Sequence, residues 1–170
     1  MKVLKIVGAL VVVPIVTGCA STEFAPERTI ALRWQRLVTE AGETCDRCGS
    51  TQEEVRVGAA VLRRCLQPLG MKVTLEETPM SPEACARDIS QSNRVFVNDR
   101  PLADWLGGTV GMSACARCCE KLGENVQCRT VTVGGQTFET IPAVLIIRAG
   151  LLAAEASLAS AATQKPCCPE

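Results

Sequence analysis

Cys45-Asp46-Arg47-Cys48 and Cys115-Ala116-Arg117-Cys118 each set two residues between two thiols, in a chain of 170 residues with 11 cysteines. That spacing lets both sulfurs of a turn close a disulfide, exchange one with a partner, or hold one metal ion at about 2.3 Å. Cys119 and Cys128 join the second cluster, and Cys167-Cys168 stands in the tail Lys165–Glu170. Neighbouring cysteines are ~3.8 Å apart at Cα, short of the ~4.4–6.8 Å a normal disulfide prefers. The tail pair is therefore an available dithiol, suited to soft ions such as Cu(I) and, by extension, Hg(II) or As(III). Taken together, Cys45, Cys48, Cys115 and Cys118 are a candidate four-thiolate site. However, 66 residues separate the two motifs, where a zinc ribbon has ~15–20. Disulfide pairing and metal binding stay open on spacing alone.

Composition removes other chemistries. The chain has no histidine, which excludes Ser-His-Asp and Cys-His catalysis, imidazole-ligated zinc and a histidine proton shuttle. Eighteen basic side chains balance 18 acidic ones, so no nucleic-acid partner is expected. No glycine-rich phosphate loop occurs, because Gly107-Gly108 and Gly134-Gly135 lack the residues that must follow. With five aromatics and no tyrosine, the core has to be aliphatic.

The elements that must position these thiols can be read along the chain. Lys2 and Lys5, the apolar run Ile6–Val16 and then Val16-Thr17-Gly18-Cys19 form a secretory signal that ends like a bacterial lipobox. The expectation is a signal peptide over 1–18, lipid on Cys19, a tether over 19–29, a domain over 30–160 and a flexible tail over 161–170. Acyl chains would hold the protein on the cell envelope, facing the periplasm. Ala20 after the cysteine resembles the outer-membrane sorting pattern.

Within the domain, Ile30–Leu37 alternates as a strand, and Ser50/Glu53 or Thr51/Glu54 satisfies a capping box. The helix that follows should bury Val55, Ala59, Leu62, Cys65, Leu66 and Leu69, with Cys65 a small buried hydrophobe. Pro68-Gly70 stops it, and Lys72–Glu76 completes a β-α-β unit. A turn or two of helix is expected around Cys85, whose role is unassigned. Arg94–Asn98 is a third strand, Leu102–Leu106 a short helix, and Gly107–Gln127 a stretch without a period. Arg129–Val133 and Gln136–Thr140 form a hairpin about Gly134-Gly135. A helix from Pro142 to about Ala162 carries Arg148 and Glu155, so it should pack on the sheet rather than span a membrane.

The segments Trp34–Leu37, Thr44–Cys48, Ser92–Val95, Asn98–Leu102, Cys128–Thr130 and Phe138–Pro142 resemble a family of bacterial thioredoxin-like domains without an assigned activity. The likeness runs from about Ile30 to Leu158. It implies an α/β fold: a central mixed sheet of about four strands, flanking helices and a C-terminal hairpin-helix. It also implies that the first thiol of the motif caps the helix and attacks, which would make Cys45 and Cys48 the redox pair. Two features depart from that pattern: the strongest caps, Ser50 and Thr51, lie beyond Cys48, and Ser92-Asn93-Arg94 stands where redox thioredoxins have a proline. The leading expectation is a lipid-anchored protein binding a soft metal or metalloid ion (Zn, Cu(I), Hg(II) or As(III)) through Cys45, Cys48, Cys115, Cys118, Cys119, Cys128, Cys167 and Cys168. The alternatives are a thiol-disulfide oxidoreductase with a protein thiol partner, and a lipoprotein whose cysteines simply pair.

Overall fold

The computed structural model describes residues 28–115 and 127–163, with side chains to residue 160. Cys19, the tether through residue 27, Cys118, Cys119, Cys167, Cys168 and the tail from residue 164 lie outside the described residues.

β1 (Arg28–Leu37) runs parallel to β2 (Met71–Met80), in register from Arg28↔Met71 to Leu37↔Met80. β3 (Arg94–Val97) lies antiparallel on the other side of β1, and β4 (Arg100–Pro101) completes the order β2-β1-β3-β4. The expected mixed four-stranded sheet is present. Its edge hairpin turns at Asn98-Asp99, whose φ values of 49° and 59° suit the short polar side chains that tolerate the left-handed region. Asn98 Oδ1 accepts from Ala31 N at 2.8 Å to hold this turn on β1.

The sheet has one apolar and one polar face. Ile30, Leu32, Trp34, Val73, Val95 and Val97 are buried beneath α1 (Asp46–Leu66) and α4 (Ala143–Thr163), which pack on each other. On the opposite face the guanidiniums of Arg33 and Arg94 stack on Phe96 at 3.9 and 4.6 Å. Both cations lie over the ring face. α2 (Pro82–Arg87) and α3 (Leu102–Trp105) are short connectors.

Three expectations are corrected. Cys65 is exposed rather than in the core, and Leu69 is 54% exposed. Buried positions in α1 follow Val55, Ala59, Leu62 and Leu66, and Cys65 falls one residue off that stripe. The Gly134-Gly135 hairpin forms, with φ of 58° and 81°, but it is not part of the central sheet. It belongs to a second sheet of order β5-β6-β7: Thr109–Ala114, Gln127–Val133 and Gln136–Phe138. β5 lies in the stretch where no strand was expected. There Gly111 and Gly108 replace branched residues, because a Cβ would come within 2.9 Å of Thr130 Oγ1 and 2.6 Å of Thr132 O, respectively.

Ala143–Ser160 is long and apolar enough to cross a membrane by length and composition, with mean hydropathy 1.6. Its residues Leu145, Ile146, Ala149, Ala153 and Ala154 are nevertheless buried against the domain, as the sequence implied. The two long helices meet at reciprocal notches. Ile146 fills the space a Cβ at Gly58 would occupy, and Leu62 does the same at Gly150. Gly150→Ala should therefore destabilise the fold by about 1–3 kcal/mol through overpacking against fully buried Leu62. Gly49→Ala, whose nearest atom would be Thr44 Cγ2 at 4.0 Å, should stabilise by up to about 1 kcal/mol. Urea midpoints of the two variants check both signs, and a gain for Gly150→Ala would refute the packing account.

Candidate thiol site

α1 begins at Asp46, and its N-cap is Cys45. The expected caps are displaced because the helix starts four residues earlier than Ser50. Cys45 has φ −78° and ψ 159°, and its Sγ accepts from Cys48 N at 3.4 Å. Its carbonyl accepts from Gly49 N at 2.8 Å. The sulfur thus receives one first-turn amide of a 21-residue helix, at the end where the helix dipole attracts negative charge.

Thr51 and Glu54 are put to other uses. Thr51 Oγ1 donates to Arg47 O at 3.0 Å and accepts from Ile141 N at 3.3 Å. Glu54 Oε2 accepts from Ala143 N at 2.7 Å, so it caps α4 instead of its own helix. Both ends of the chemistry-bearing region, α1 and the start of α4, are fixed by this one pair.

The two thiols are not equivalent. Cys48, 1% exposed, lies 3.8 Å from Ser92 Oγ. Its hydrogen bond to Cys45 raises its pKa far above that of an ordinary thiol, with burial and the Cys45 charge adding to the rise. Cys48 is thus held protonated, as the donor of the pair. Cys45 itself is 3% exposed.

The second sheet closes over this helix end. Arg47 donates to Ser113 Oγ at 3.0 Å and to Ala114 O at 3.2 Å, and pairs with Glu139 at 2.8 Å. Ser113 in turn donates to Glu139 Oε1 at 2.8 Å. Asn93, buried with φ 55°, joins the same corner: it accepts from Trp34 Nε1 at 3.2 Å and donates to Glu139 O at 3.3 Å. Ser113 was not singled out from sequence, since nothing in its local pattern distinguishes it from an ordinary polar residue; Asn93 and Glu139 lie in segments that carry the family resemblance, but no role was assigned to either side chain.

Cys115 and Cys128 are buried in the same continuous core as Cys45 and Cys48. No disulfide joins two of the six described cysteines. Among the described residues no three of His, Cys, Asp or Glu are grouped to hold a metal ion. The proposed four-thiolate set also needs Cys118, outside the described residues. Cys85 is fully buried in α2, and burial, with the nearby Asp88 charge, pushes its thiol up to about 11, an inert packing thiol at neutral pH.

Residues 30–150 match the family described as "Domain of unknown function (DUF2703)". The chain belongs to that family. An uncharacterised protein of Archaeoglobus fulgidus is 36% identical over 117 residues, covering 69% of this chain and 82% of the relative. No solved structure matches the chain. The family match spans both CxxC segments.

The inequality of the thiols is measurable. In Cys45→Ala the largest contribution that raises Cys48 disappears, so the pH of half-maximal alkylation of Cys48 should fall well below that in the wild type. Trypsin cuts at Arg47, between the two cysteines, and mass spectrometry can follow each separately. An unchanged Cys48 profile would mean that the pair is not coupled.

Proposed function

We propose that this chain is a lipid-anchored, envelope-facing thiol-disulfide exchange protein of the thioredoxin type, with Cys45 as attacking thiol and Cys48 as resolving thiol. The observation that carries this is the Cys45 sulfur at the N-cap of α1, bonded to the amide of a Cys48 that is held protonated. One thiol is prepared to attack, and the other holds its proton until the mixed disulfide has formed. The strand order, with a parallel β-α-β unit followed by an antiparallel hairpin and a helix, supports the thioredoxin likeness. Ser92 in place of proline keeps a polar group on Cys48, and its Oγ also anchors the end of β1 through Leu37 N at 3.0 Å.

The anchor follows from the basic, apolar and Gly18-Cys19 sequence of the N-terminal segment. Lipid on Cys19 would leave the thiol site facing an oxidising compartment in which disulfides persist.

A second reading, soft-ion capture, is favoured by the close pairing of Cys45 and Cys48. Two thiolates suffice for a soft ion such as Cu(I), and by extension Hg(II). The wider thiol set, Cys115, Cys118, Cys119, Cys128, Cys167 and Cys168, would extend that capacity to zinc or As(III).

Equilibration with glutathione buffers of graded potential decides between these functions. A catalytic pair should convert between dithiol and disulfide at about −270 to −120 mV, whereas a structural disulfide lies below about −300 mV. Cys45→Ser should abolish exchange with a disulfide-bonded peptide, and Cys65→Ser, at an exposed site away from the motif, should leave it unchanged. A potential below the catalytic range would overturn the exchange function. One equivalent of a soft ion that protects both Cys45 and Cys48 from alkylation would move the assignment to ion capture.

A further inference from the structure

We infer that Ser92 is a positioning residue for the second half of the exchange: its hydroxyl donates to the Cys48 sulfur and supports the charge that sulfur takes on as it attacks. This rests on the exchange function proposed above and assigns a further residue to the same site.

Counting protons fixes the direction of the bond. Cys48 Sγ and Ser92 Oγ lie 3.8 Å apart, where either atom could donate. Ser92 Oγ accepts from Leu37 N at 3.0 Å. A backbone N–H only donates, so the single proton of the hydroxyl stays available. Cys48 also has a single proton, and it points at Cys45. The Cys48 sulfur is left to accept and the Ser92 O–H to donate. A second hydroxyl near Cys48 belongs to Thr44, but its proton goes to Leu37 O at 2.8 Å. Leu37 therefore sorts the two hydroxyls: its carbonyl takes the proton of Thr44, and its amide leaves that of Ser92 free.

Ser92 is also held in place. Its backbone nitrogen donates to Ile89 O at 3.0 Å, and the next residue, Asn93, is tied to Trp34 and Glu139. Ser92 and Cys48 are each 1% exposed, so water does not compete for the bond. On a thiolate the contact becomes charge-assisted, which makes it shorter and stronger.

The donor matters most after the first step. The Cys45 thiolate attacks the disulfide of a peptide substrate, a Cys45–peptide disulfide forms, and one peptide half leaves as thiolate. The Cys45 sulfur is now neutral. Its charge, and most of the hydrogen bond it accepted, no longer hold Cys48 protonated. Burial still opposes ionisation of Cys48, and the Ser92 hydroxyl favours it. Cys48 then attacks the Cys45 sulfur. The Cys45–Cys48 bond forms, the bond to the peptide breaks, and the second half leaves with the proton that Cys48 gives up. Two electrons have passed from the protein dithiol to the peptide disulfide, and no other reagent is needed.

A single turnover of the full chain with a symmetric peptide disulfide, acid-quenched at intervals and cut with trypsin, separates the steps. Residues Leu37–Arg47 carrying one substrate half measure the intermediate. In Ser92→Ala it should form at the wild-type rate and decay ~3–10-fold more slowly, for a loss of thiolate stabilisation of roughly half to one pH unit. Ser92→Thr, which keeps the hydroxyl, should recover the faster decay. An unchanged decay in Ser92→Ala overturns the assignment. Formation and decay slowed together, or Ser92→Thr as slow as Ser92→Ala, overturns it too, because Ser92 would then only hold the end of β1. The bond is read again without turnover. In Cys45→Ala, the pH of half-maximal alkylation of Cys48 should rise when Ser92→Ala is added, while that of Cys85 stays fixed; an unmoved Cys48 profile refutes the bond. Should Ser92→Ala not fold, the Ser92 Cβ resonance in Cys45→Ala must titrate with the midpoint of Cys48, and a fixed resonance refutes it equally. A wild type that never forms the intermediate sinks the exchange function itself, an outcome distinct from an intermediate whose decay ignores Ser92.

Discussion

The site depends on the buried corner Ser92-Asn93. Asn93 is 1% exposed and uses both atoms of its amide: the oxygen accepts from the indole of Trp34, and the nitrogen donates to Glu139 O. Its neighbour's hydroxyl accepts from Leu37 N and faces Cys48. Two residues thus tie the end of β1, the largest core side chain, the Cys48 thiol and the loop that carries Glu139. Losing the Asn93 side chain would leave the Trp34 N–H unsatisfied in the interior, at a cost of ~1–3 kcal/mol. The positive φ at Asn93 explains why a short polar residue stands here, since a branched one would be strained. Glu139 then transmits that order to the thiol motif, because its carboxylate holds Arg47 and Ser113 together.

A second constraint sets the direction of α1, and so the aim of its N-terminus. The helix is held along its length by α4, through Ile146 over Gly58 and Leu62 over Gly150, and near its start by Thr51 and Glu54 on Ile141 and Ala143. Glu77 adds a polar tie from β2, accepting from Gln52 at 2.7 Å and Arg56 at 2.8 Å. The hydrogen bond from Arg56 holds the Glu77 carboxyl below the usual carboxylate range. A group with a depressed folded pKa stabilises the protein above its unfolded value and loses that contribution as pH falls. The tie is therefore intact at neutral pH and weakens in acid, while the apolar notches are indifferent to pH.

Much of the frame was legible in the sequence because its physics is periodic. β1, the apolar stripe of α1, the Gly134-Gly135 hairpin and α4 all follow from alternation, helical spacing or turn chemistry. What escaped depended on tertiary partners. Thr51 and Glu54 carry a capping signature, yet they bond residues about 90 positions away; the cap they leave vacant is filled by Cys45. β5 was hidden because close contact with β6 demands glycine at 108 and 111, and glycine erases the pattern by which a strand is recognised. Cys65 was misplaced by a single step around the helix, a difference the apolar stripe cannot resolve when both 65 and 66 are apolar. Among the thiols, Cys45 and Cys48 were legible as a pair, but not their inequality, which arises from a cap and a buried serine rather than from spacing.

Burial makes the final distinction among the uses of these thiols. Cys45 and Cys48 are 3% and 1% exposed, and a thiol shut away from water exchanges only with what is already beside it or with what an opening admits. The Arg47 clamp on Ser113, Ala114 and Glu139 closes the approach from the second sheet. Arg47 is well buried, with its side chain 11% exposed, but Glu139 is 56% exposed. The ion pair is therefore wet on one side and adds little to stability. What it contributes is position. A strong apolar seal would lock the thiols away permanently, whereas a half-solvated ion pair can part at small cost. The same contact can thus hold the start of α1 against the second sheet and part without a large loss of stability.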